Sequence, residues 1–417
     1  MRDLGLDAYV VGGVVRDELL GRDAKDADFL VPNVDIDGLR TALAPHGRAE
    51  DLVVAGRVVG LRFHPRDARI RRLVPVGIEV APPRRERSTG PGRHDFEIVV
   101  DPEASVEDDL GRRDFTVNAI ARRLGDGTIV DPFDGRGDLE RRVLRAVSAH
   151  SMAEDPLRLV RGLRFVSQLG LEPDEETFEQ MQAEAELVRL VSGERIGGGL
   201  AADAMGELSK LLLGPEPRRA LRLARETGIL GALLPELHER DRNELTFAVV
   251  QAAAELDAPL RLRLAALLGA IGPDSAAGVL RRLRYPNEVR DRVVQIVRHH
   301  AFDFGAGDPL SARLLLAQHG EPLVRDLLDL RRADVIGAAA PAEELVRLDA
   351  FQEVVEHERR APHRLRDLAI GGDDLLALGI PHGPAIGRAL DQLLEAVVRE
   401  PALNVRDELL RRAEELR

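Results

Sequence analysis

The sequence predicts an α+β head with a mixed sheet and helices, followed by an all-α neck, body and tail. Up to about residue 150, segments that alternate polar and apolar residues, such as 58–63 and 76–80, predict half-buried strands between short helices. Beyond that point the strand signals fade, and apolar residues recur at helical spacing in segments such as 157–169. We therefore expect a head, a neck and a body with tail that occupy, in order, residues 1–150, 151–238 and 239–417.

The composition is typical of a soluble protein with several domains. The chain has 417 residues, of which 44% are apolar and 31% charged, and it contains no Cys. Disulfide scaffolds, thiolate metal sites and Cys nucleophiles are therefore excluded. No apolar stretch is long enough to span a membrane, so we expect a cytoplasmic protein without a membrane partner. The net charge of −13 argues against nucleic-acid binding by bulk charge and leaves local basic surfaces as the alternative.

The first candidate site lies near the N-terminus. The apolar segment 8–11 predicts a strand that runs into Gly12-Gly13 and a short helix at 15–20. This order leaves backbone N–H groups at the start of the helix free to bind a phosphate. Asp26 and Asp28 occupy alternate positions of the next predicted strand and so project from one face. Two such carboxylates suit a pair of divalent cations, as in nucleotidyl transfer, whereas an isolated pair is more commonly a solvated strand end.

Two further features belong to the predicted head. Glu79 stands between Ile78 and Val80, where burial of an unpaired carboxylate would be costly. A bound metal ion would remove that cost, and the alternative is that this face of the strand is solvated. Residues 84–94 contain Gly, Pro and Ser among several arginines, which predicts a flexible basic loop.

A helix is predicted at 154–166, and it has two different faces. Its charged residues recur every three positions and therefore form one ridge, made of Asp155, Arg158, Arg161 and Arg164. Its apolar residues cover the opposite face and can pack on the core. Pro156 suits the first helical position, which makes Asp155 a candidate N-cap as well as a candidate binding residue.

Several motifs in one order resemble a known family. Residues 11–31 (VGGVVRDELLGRDAKDADFLV) resemble the signature of the polymerase-β nucleotidyltransferase superfamily, and specifically of class II tRNA nucleotidyltransferases and bacterial poly(A) polymerases. The resemblance continues through most of the chain, at residues 76–87, 109–121 (DLGRRDFTVNAIA), 131–147, 154–165 (EDPLRLVRGLRF), 194–195, 208–237 and 367–390. It implies template-independent addition of CCA to the 3′ end of tRNA, with CTP and ATP as substrates and Mg²⁺ as cofactor.

The resemblance also implies roles for individual residues. The catalytic carboxylates would be Asp26, Asp28 and Glu79, with Asp26 and Asp28 as metal ligands. The nucleotide would be bound by Gly12, Gly13, Arg16, Arg113, Asp114, Asp155, Arg158, Arg161 and Arg164. Among these, Asp155 and Arg158 would imitate the hydrogen-bonding edge of a template base. Arg113 would hold phosphates and Asp114 the ribose hydroxyl, and an internal Arg113–Asp114 salt bridge is the alternative.

Contacts to tRNA are expected from local clusters of arginine. One cluster lies in the predicted loop and comprises Arg84, Arg85, Arg87 and Arg93. A second cluster has only Asp67 opposing it and comprises Arg57, Arg62, Arg66, Arg69, Arg71 and Arg72. The partner would be the acceptor end, acceptor stem and T-arm of tRNA, and no obligate protein partner is indicated. Runs of surface arginine are commonly only solvated, which is the alternative for both clusters.

The chain departs from the family at two places. Gly269 and Ala270 stand where many bacterial relatives carry the His-Asp dyad of a phosphohydrolase module, and neither residue can bind a metal. We therefore expect the body to be a helical scaffold without phosphatase activity. Gly197-Gly198-Gly199 interrupts a region that is continuous helix in relatives.

Alternative activities stay open at this stage. They are addition of A alone, addition of CC alone, poly(A) synthesis and, least favoured, an inactive RNA-binding relative. The basic segment 84–94 argues against an enzyme that adds CC alone, and the acidic composition argues against a poly(A) polymerase.

Overall fold

The computed structural model describes residues 4–22, 28–54, 56–88, 96–199, 205–238, 243–304 and 307–416. Its internal contacts divide the chain into two compact units, Met1–His238 and Glu239–Arg417. The first unit contains the strands and the second is helical, which confirms the predicted fold class. None of the helices among the described residues combines the length and the apolar character that crossing a membrane requires.

The strands are β1 Tyr9–Val11, β2 Asp28–Leu30, β3 Gly47–Val54, β4 Arg57–Pro65, β5 Ile78–Ala81, β6 Arg84–Ser88, β7 Phe96–Val100, β8 Ala121–Arg123, β9 Ile129–Val130, β10 Val143–Leu144 and β11 Glu172–Pro173. The α-helices of the first unit are α1 Gly13–Leu19, α2 Ile36–Leu43, α3 Ala68–Leu73, α4 Val106–Leu110, α5 Gly135–Arg141, α6 Ser151–Glu154, α7 Leu157–Leu169, α8 Glu175–Ala183, α9 Gly193–Ile196, α10 Glu207–Leu212, α11 Pro217–Glu226, α12 Ile229–Leu233 and α13 Pro235–His238.

The α-helices of the second unit are α14 Asn243–Glu255, α15 Leu260–Leu268, α16 Pro273–Arg282, α17 Asn287–His299, α18 Pro309–Gly337, α19 Ala342–Glu358, α20 Gly372–Ala377, α21 Pro384–Arg399 and α22 Arg406–Glu415. Short 3₁₀ helices lie at Thr116–Asn118, Ala185–Leu190, Gly269–Ile271, Leu365–Asp367 and Pro401–Leu403.

A seven-stranded mixed sheet forms the centre of the first unit, with the strand order β3-β4-β5-β2-β1-β8-β9. Its one parallel pair is β2 with β5, and the other neighbours are antiparallel. Buried residues from β4, β5 and α2, among them Leu61, Val80 and Leu39, form a core on this sheet. Helix α2 begins where the Asp35 carboxylate accepts a hydrogen bond from the backbone N–H of Gly38, a standard N-cap.

The prediction of a basic loop at 84–94 is wrong for its first part. Residues 84–88 form strand β6, which pairs in antiparallel register with β7. The apolar and β-branched residues of β7, Phe96-Glu97-Ile98-Val99-Val100, favour a strand and supply the backbone partners for β6. The Gly and Pro signals belong to residues 89–95, which lie outside the described residues together with Arg93.

In the second unit a buried carboxylate connects three helices through ion pairs. Asp326 of α18 is 1% exposed and accepts hydrogen bonds from Arg261 of α15 and from Arg292 of α17 at 2.7 to 3.1 Å. Helix α18 is kinked at Gly320, whose φ of 71° is not helical, and Pro322 follows directly after the kink.

The region of the missing dyad is part of the same unit. Gly269 begins a 3₁₀ helix after α15, and a Cβ atom built there would lie 3.7 Å from Nε2 of His300. Among the residues that the structure describes, no three His, Asp or Glu side chains are grouped to hold a metal ion. The absence of phosphatase activity stays a prediction.

Candidate active site

The carboxylate candidates lie at one end of the central sheet. Val11, the last residue of β1, is the antiparallel Cα partner of Asp28, the first residue of β2. Asp28 is in turn the Cα partner of Glu79 on the parallel strand β5. Because neighbouring strands lie about 4.8 Å apart, the Asp28 and Glu79 side chains project side by side from one face. Asp26 lies outside the described residues, and its place at this site stays a prediction.

Glu79 has a charged partner and is not fully buried. Its side chain is 46% exposed, and its Oε1 accepts a hydrogen bond of 2.8 Å from Nη2 of Arg62 on β4. The expected cost of burying this carboxylate is therefore absent, because the face of the strand is solvated and Arg62 supplies a positive charge. A carboxylate at the surface of a cleft is open to a competing cation.

The Gly12-Gly13 turn is shaped by two arginines. Gly12 has a φ of 75°, and a Cβ atom there would lie 2.5 Å from Nη1 of Arg113. A Cβ atom on Gly13 would lie 3.5 Å from Nη2 of Arg16. The turn thus needs glycine both for its backbone conformation and for the close approach of the Arg113 guanidinium. Both guanidinium groups face the turn that follows β1.

Arg16 and Arg113 are oriented by Asn118, a residue that the sequence analysis did not assign to the site. Nη1 of Arg16 donates to Oδ1 of Asn118 at 2.6 Å, and Nη1 of Arg113 lies 3.5 Å from the Asn118 backbone oxygen. Arg113 also lies 3.6 Å from the buried Asp109. Among the described residues, the buried Nε of Arg113 has no hydrogen-bond partner. An unpaired buried N–H of a guanidinium suits an anion in the adjoining cleft.

Asp114 is ionised and accepts three hydrogen bonds inside the unit. It is 6% exposed and accepts hydrogen bonds from the Phe115 backbone N–H, from Asn118 Nδ2 and from Arg161 Nε, each at 2.8 to 2.9 Å. Burial alone would raise its pKa, but the Arg161 charge and these hydrogen bonds lower it to about 2. The alternative of an Arg113–Asp114 salt bridge is not realised among the described contacts, because Asp114 pairs with Arg161 instead.

The middle of α7 holds two partly buried guanidinium groups against a second carboxylate, Glu207. Arg161 lies 3.7 Å and Arg164 2.6 Å from the carboxylate oxygens of Glu207, which is itself 5% exposed. Arg164 also lies over the buried ring of Phe165, with its Cζ 4.1 Å from the ring centroid. Burial lowers the pKa of Arg164 to about 10, which still leaves it charged at neutral pH.

The ridge of charged residues predicted on α7 is present from Arg158 onward. Arg158 is only 13% exposed, because its Nη2 donates to the Arg112 backbone oxygen at 2.6 Å and its Nη1 to Ser151. A guanidinium has five N–H donors, so these contacts leave the Nε–H and one Nη2–H of Arg158 for a ligand. Arg158 thus lines the cleft and also connects α7 to the backbone at Arg112.

Asp155 precedes α7 and contacts two elements at once. Its Oδ1 accepts a hydrogen bond of 3.2 Å from the Leu157 backbone N–H, as expected for a residue that caps the helix. Its Oδ2 accepts a hydrogen bond of 3.0 Å from Nη2 of Arg195 in α9. The side chain is still 35% exposed, and a carboxylate has about four acceptor positions. Asp155 can therefore accept a further hydrogen bond from a ligand.

These residues line one open cleft of about 570 Å³. Asp28 and Gly13 line it together with Asp155 and the charged ridge, so the carboxylate end of the sheet and the start of α7 belong to the same cavity. A second cavity of about 270 Å³ adjoins it, because Asp28, Arg84 and Arg113 line both, and Glu79 lies in this second part. The whole set suits a ligand with several negative charges and one polar ring.

Only one of the four arginines proposed for the basic loop can be placed. Arg84 lines both cavities, and its Nε lies 3.8 Å from Oδ1 of Asp109. Arg85 and Arg87 belong to β6, but their side chains are outside the described part of the chain, as is all of Arg93.

Four residues of the site were not singled out by sequence reasoning: Asn118, Phe165, Arg195 and Glu207. Asn118, Phe165 and Arg195 lie inside matched motifs, so the motif itself was the available signal. Glu207 follows the glycine-rich interruption that obscured the neck, and its contact with Arg164 joins distant parts of the chain. A buried carboxylate with this partner has no local pattern that reveals it.

Comparison with known proteins identifies the class. Residues 8–145 match the family described as "Poly A polymerase head domain". Residues 170–240 match one described as "Probable RNA and SrmB-binding site of polymerase A", and residues 262–413 match tRNA nucleotidyltransferase domain 2. A head of this fold, with carboxylates at the strand ends and a cationic cleft, defines a nucleotidyltransferase.

Similar proteins narrow the class further. A multifunctional CCA protein of Alkalilimnicola ehrlichii is 34% identical over 363 residues, which cover 77% of this chain and 80% of that protein. A CCA-adding enzyme of Pseudomonas putida strain F1 is 35% identical over 294 residues, covering 68% and 70%. The crystal structure of the Bacillus stearothermophilus CCA-adding enzyme in complex with CTP has a TM-score of 0.75 and 28% identity, covering 99% and 94%. This chain belongs to the family of CCA-adding tRNA nucleotidyltransferases.

Proposed function

We propose that this protein adds the CCA sequence to the 3′ end of tRNA in the cytoplasm, with CTP and ATP as substrates and no nucleic-acid template. The observation that carries this proposal is the single cleft that joins strand-end carboxylates to the charged ridge of α7. One end suits phosphate chemistry and the other suits hydrogen bonding to a base. Family membership supports the same reaction, since the similar proteins are CCA-adding enzymes.

The carboxylates at the strand ends fit a divalent cation. Asp28 and Glu79 are in register on adjacent strands, and carboxylate oxygens are the preferred ligands of Mg²⁺. Asp26, Asp28 and Glu79 would hold the metal, with Asp26 and Asp28 as the main ligands. Bound Mg²⁺ supplies activation of the attacking hydroxyl and neutralises charge on the departing pyrophosphate. Arg62 balances the charge of Glu79 as long as no metal does.

The triphosphate would be bound at the Gly12-Gly13 turn. Arg16 and Arg113 approach this turn from two sides, and their guanidinium groups can each bind a phosphate with two parallel hydrogen bonds. Asn118 fixes both arginines, which limits the reorganisation that binding requires. Asp114 lines the same cleft and would accept a hydrogen bond from the ribose hydroxyl while it holds Arg161.

Nucleotide selection would rest on Asp155 and Arg158. A carboxylate accepts from the exocyclic amine of cytosine or adenine, whereas uracil and guanine present a carbonyl oxygen at the equivalent position. Asp155 retains acceptor capacity, and Arg158, which lines the cleft, retains two N–H donors. Arg161 and Arg164 would support this pair from the next turns of α7. Residues 1–150 would thus carry the chemistry and residues 151–238 the choice of nucleotide.

The remaining helices would bind the rest of the RNA. Residues 239–417 would contact the acceptor stem and T-arm, while Arg84, Arg85, Arg87 and Arg93 would contact RNA nearer to the site. Such local contacts are needed because the chain as a whole is acidic, with a net charge of −13.

Three tRNA transcripts test the proposal. They end at the discriminator base, after C and after CC, and each is incubated with Mg²⁺ and labelled CTP or ATP, alone and together. We expect full extension of all three to CCA and no incorporation of UTP or GTP. Extension of only the CC-ending transcript by one A would indicate an A-adding enzyme, and long A tails a poly(A) polymerase. No incorporation would contradict catalysis altogether.

A further inference from the structure

Helix α3 is an element that core packing does not explain. It lies in the connection from β4 to β5, and none of its residues is buried. Leu73 is 77% exposed and Ile70 45%. Because α3 contributes no buried residue to the core, we look for its role in the side chains that it exposes at the surface.

The connection presents four arginines, which we call the α3 patch: Arg66, Arg69, Arg71 and Arg72. All four are exposed, and within the described ranges none of their guanidinium groups forms a hydrogen bond or ion pair. The one carboxylate in this segment, Asp67, accepts a hydrogen bond of 2.7 Å from the Arg69 backbone N–H at the start of the helix. The patch therefore keeps its positive charge available to a partner.

The structure separates this patch from the rest of the arginine cluster seen in the sequence. Arg62 pairs with Glu79, whereas the α3 patch extends into solvent. Many exposed arginines elsewhere in the same unit do have carboxylate partners, such as Arg40 with Asp51 and Arg123 with Asp7. Four neighbouring arginines with no such partner among the described residues are thus a local concentration of charge on an acidic protein.

The connection that carries the patch is held at both ends and continues into the strand that bears Glu79. The backbone N–H of Arg66 donates to the His46 oxygen at 2.8 Å before the helix. After the helix, a Cβ atom on Gly77 would lie 2.9 Å from Cγ of Arg62 and 3.0 Å from Cε1 of His64, so the chain returns tightly over the end of β4. Glu79 follows in β5, and the seven residues from Arg72 span at most about 25 Å.

We propose that the α3 patch binds the phosphates of the RNA strand whose 3′ end enters the site, a proposal that rests on the proposed function. The 3′-hydroxyl must reach the carboxylates, so the RNA strand behind it has to pass over the end of the sheet where these carboxylates lie. Arginine pairs with phosphate through parallel hydrogen bonds and tolerates any base sequence. Arg69 and Arg72 are one helical turn apart and can contact successive phosphates.

The test compares two triple variants of the full-length protein. In R69Q/R71Q/R72Q the α3 patch loses three charges from an exposed helix. In the control R40Q/R123Q/R189Q the same unit loses three exposed arginines that have carboxylate partners. Binding of a labelled tRNA transcript ending in CC is measured without nucleotide at several salt concentrations, and KM values for the transcript and for CTP are measured separately.

We expect the patch variant to weaken RNA binding by at least about tenfold at low salt and to reduce the salt slope by about two. Its KM for CTP should equal that of the wild type, and R69K/R71K/R72K should restore most of the slope. An unchanged transcript affinity and slope would overturn the proposal. So would loss of binding to phosphatidylserine vesicles with RNA affinity unchanged, which would assign the patch to a membrane surface.

The design separates the two proposals. If the wild-type protein binds the transcript but adds no nucleotide, the proposed function fails, and the salt slope still decides what the patch does. If the wild type adds CCA and the patch variant has the RNA affinity of the control, the patch proposal alone fails.

Discussion

Gly12 shows how one residue of this site meets two independent demands. Its φ of 75° strains any L-residue, and its missing Cβ leaves room for the Arg113 guanidinium. Gly21 has a similar φ of 66°, but a Cβ atom there would meet nothing within 4 Å. Gly21 is therefore a position with a positive φ but without the close approach of Arg113 that Gly12 has.

We expect Gly12→Ala to raise the KM for CTP and ATP by about 10- to 100-fold, because it displaces a charge-assisted contact to phosphate. Gly21→Ala should lose about 1 kcal/mol of stability because of its positive φ and leave these KM values unchanged. Steady-state kinetics and urea unfolding of both variants check the prediction. Equal KM values for the two variants would contradict the role of Arg113 at the turn.

Glu207 is a shared carboxylate partner of three cations inside the first unit. Arg161, Arg164 and Lys210 lie 2.6 to 3.8 Å from its carboxylate oxygens, and burial lowers the pKa of Lys210. Removal of this charge leaves Arg164, which is 14% exposed, without a carboxylate partner among the described contacts, which is costlier than loss of a surface pair.

We expect Glu207→Gln to destabilise the protein by about 3 kcal/mol, together with a lower apparent affinity for nucleotide as α7 shifts. Glu186→Gln is the matched control, since Glu186 is 74% exposed and pairs with Arg189. It should change stability by less than about 0.5 kcal/mol. Urea midpoints measure both, and a small effect at Glu207 would mean that the arginines have other compensation.

At the scale of elements, local pattern predicted some of the site and long-range pairing decided the rest. The predicted segment 157–169 has the bounds of α7, because dense apolar spacing ends at Gly170, which adopts the left-handed conformation that ends helices. Residues 175–190, which also carry apolar residues at helical spacing, form α8 and a separate 3₁₀ helix. Strand β6 was not predicted, because its residues, Arg-Arg-Glu-Arg-Ser, do not alternate between polar and apolar. The strand depends on its pairing with β7.

The contact of α9 with the start of α7 orients Asp155, the carboxylate that we propose takes part in nucleotide choice. Arg195 holds Asp155 through hydrogen bonds of 3.0 and 3.4 Å, and its side chain is 52% exposed. Exposed ion pairs contribute little to stability, so the effect of this pair should appear in the orientation of the carboxylate.

We expect Arg195→Gln to change stability by less than about 1 kcal/mol and to reduce discrimination of CTP and ATP against UTP and GTP by about tenfold. Arg189→Gln is a close control, because Arg189 is also 52% exposed and pairs with a carboxylate. Single-nucleotide incorporation from each of the four nucleotides provides the measurement. Unchanged discrimination would contradict the role of the Arg195–Asp155 pair in nucleotide choice.

At the scale of the whole molecule, the sequence predicted the change from a mixed sheet to helices because strand signals end near residue 150. It could not predict which charged partners surround the buried carboxylates of each unit, because these partners come from segments that are distant in the sequence. Asp114 faces a buried arginine, and its pKa is lowered to about 2. Asp334 in α18 is different: burial raises its pKa to about 6, although His300 and Arg331 oppose the shift.

The two carboxylates therefore change stability in opposite directions as pH rises. The low pKa of Asp114 contributes stability above about pH 4, and that contribution is lost as pH falls toward 2. The raised pKa of Asp334 favours the protonated folded state, so stability falls as pH rises from about 4 through 6. Above pH 6 the full cost of burying its charge is present.

We expect Asp334→Asn to stabilise the protein by about 1–3 kcal/mol at pH 8, because the amide carries no charge to bury, and to give no gain near pH 4. The control Asp291→Asn alters an exposed carboxylate of α17, 69% exposed, and should give no gain at either pH. Urea unfolding followed by circular dichroism at pH 4, 6 and 8 measures the difference. A gain of equal size at all three pH values would contradict the titration of Asp334 and assign the effect to packing instead.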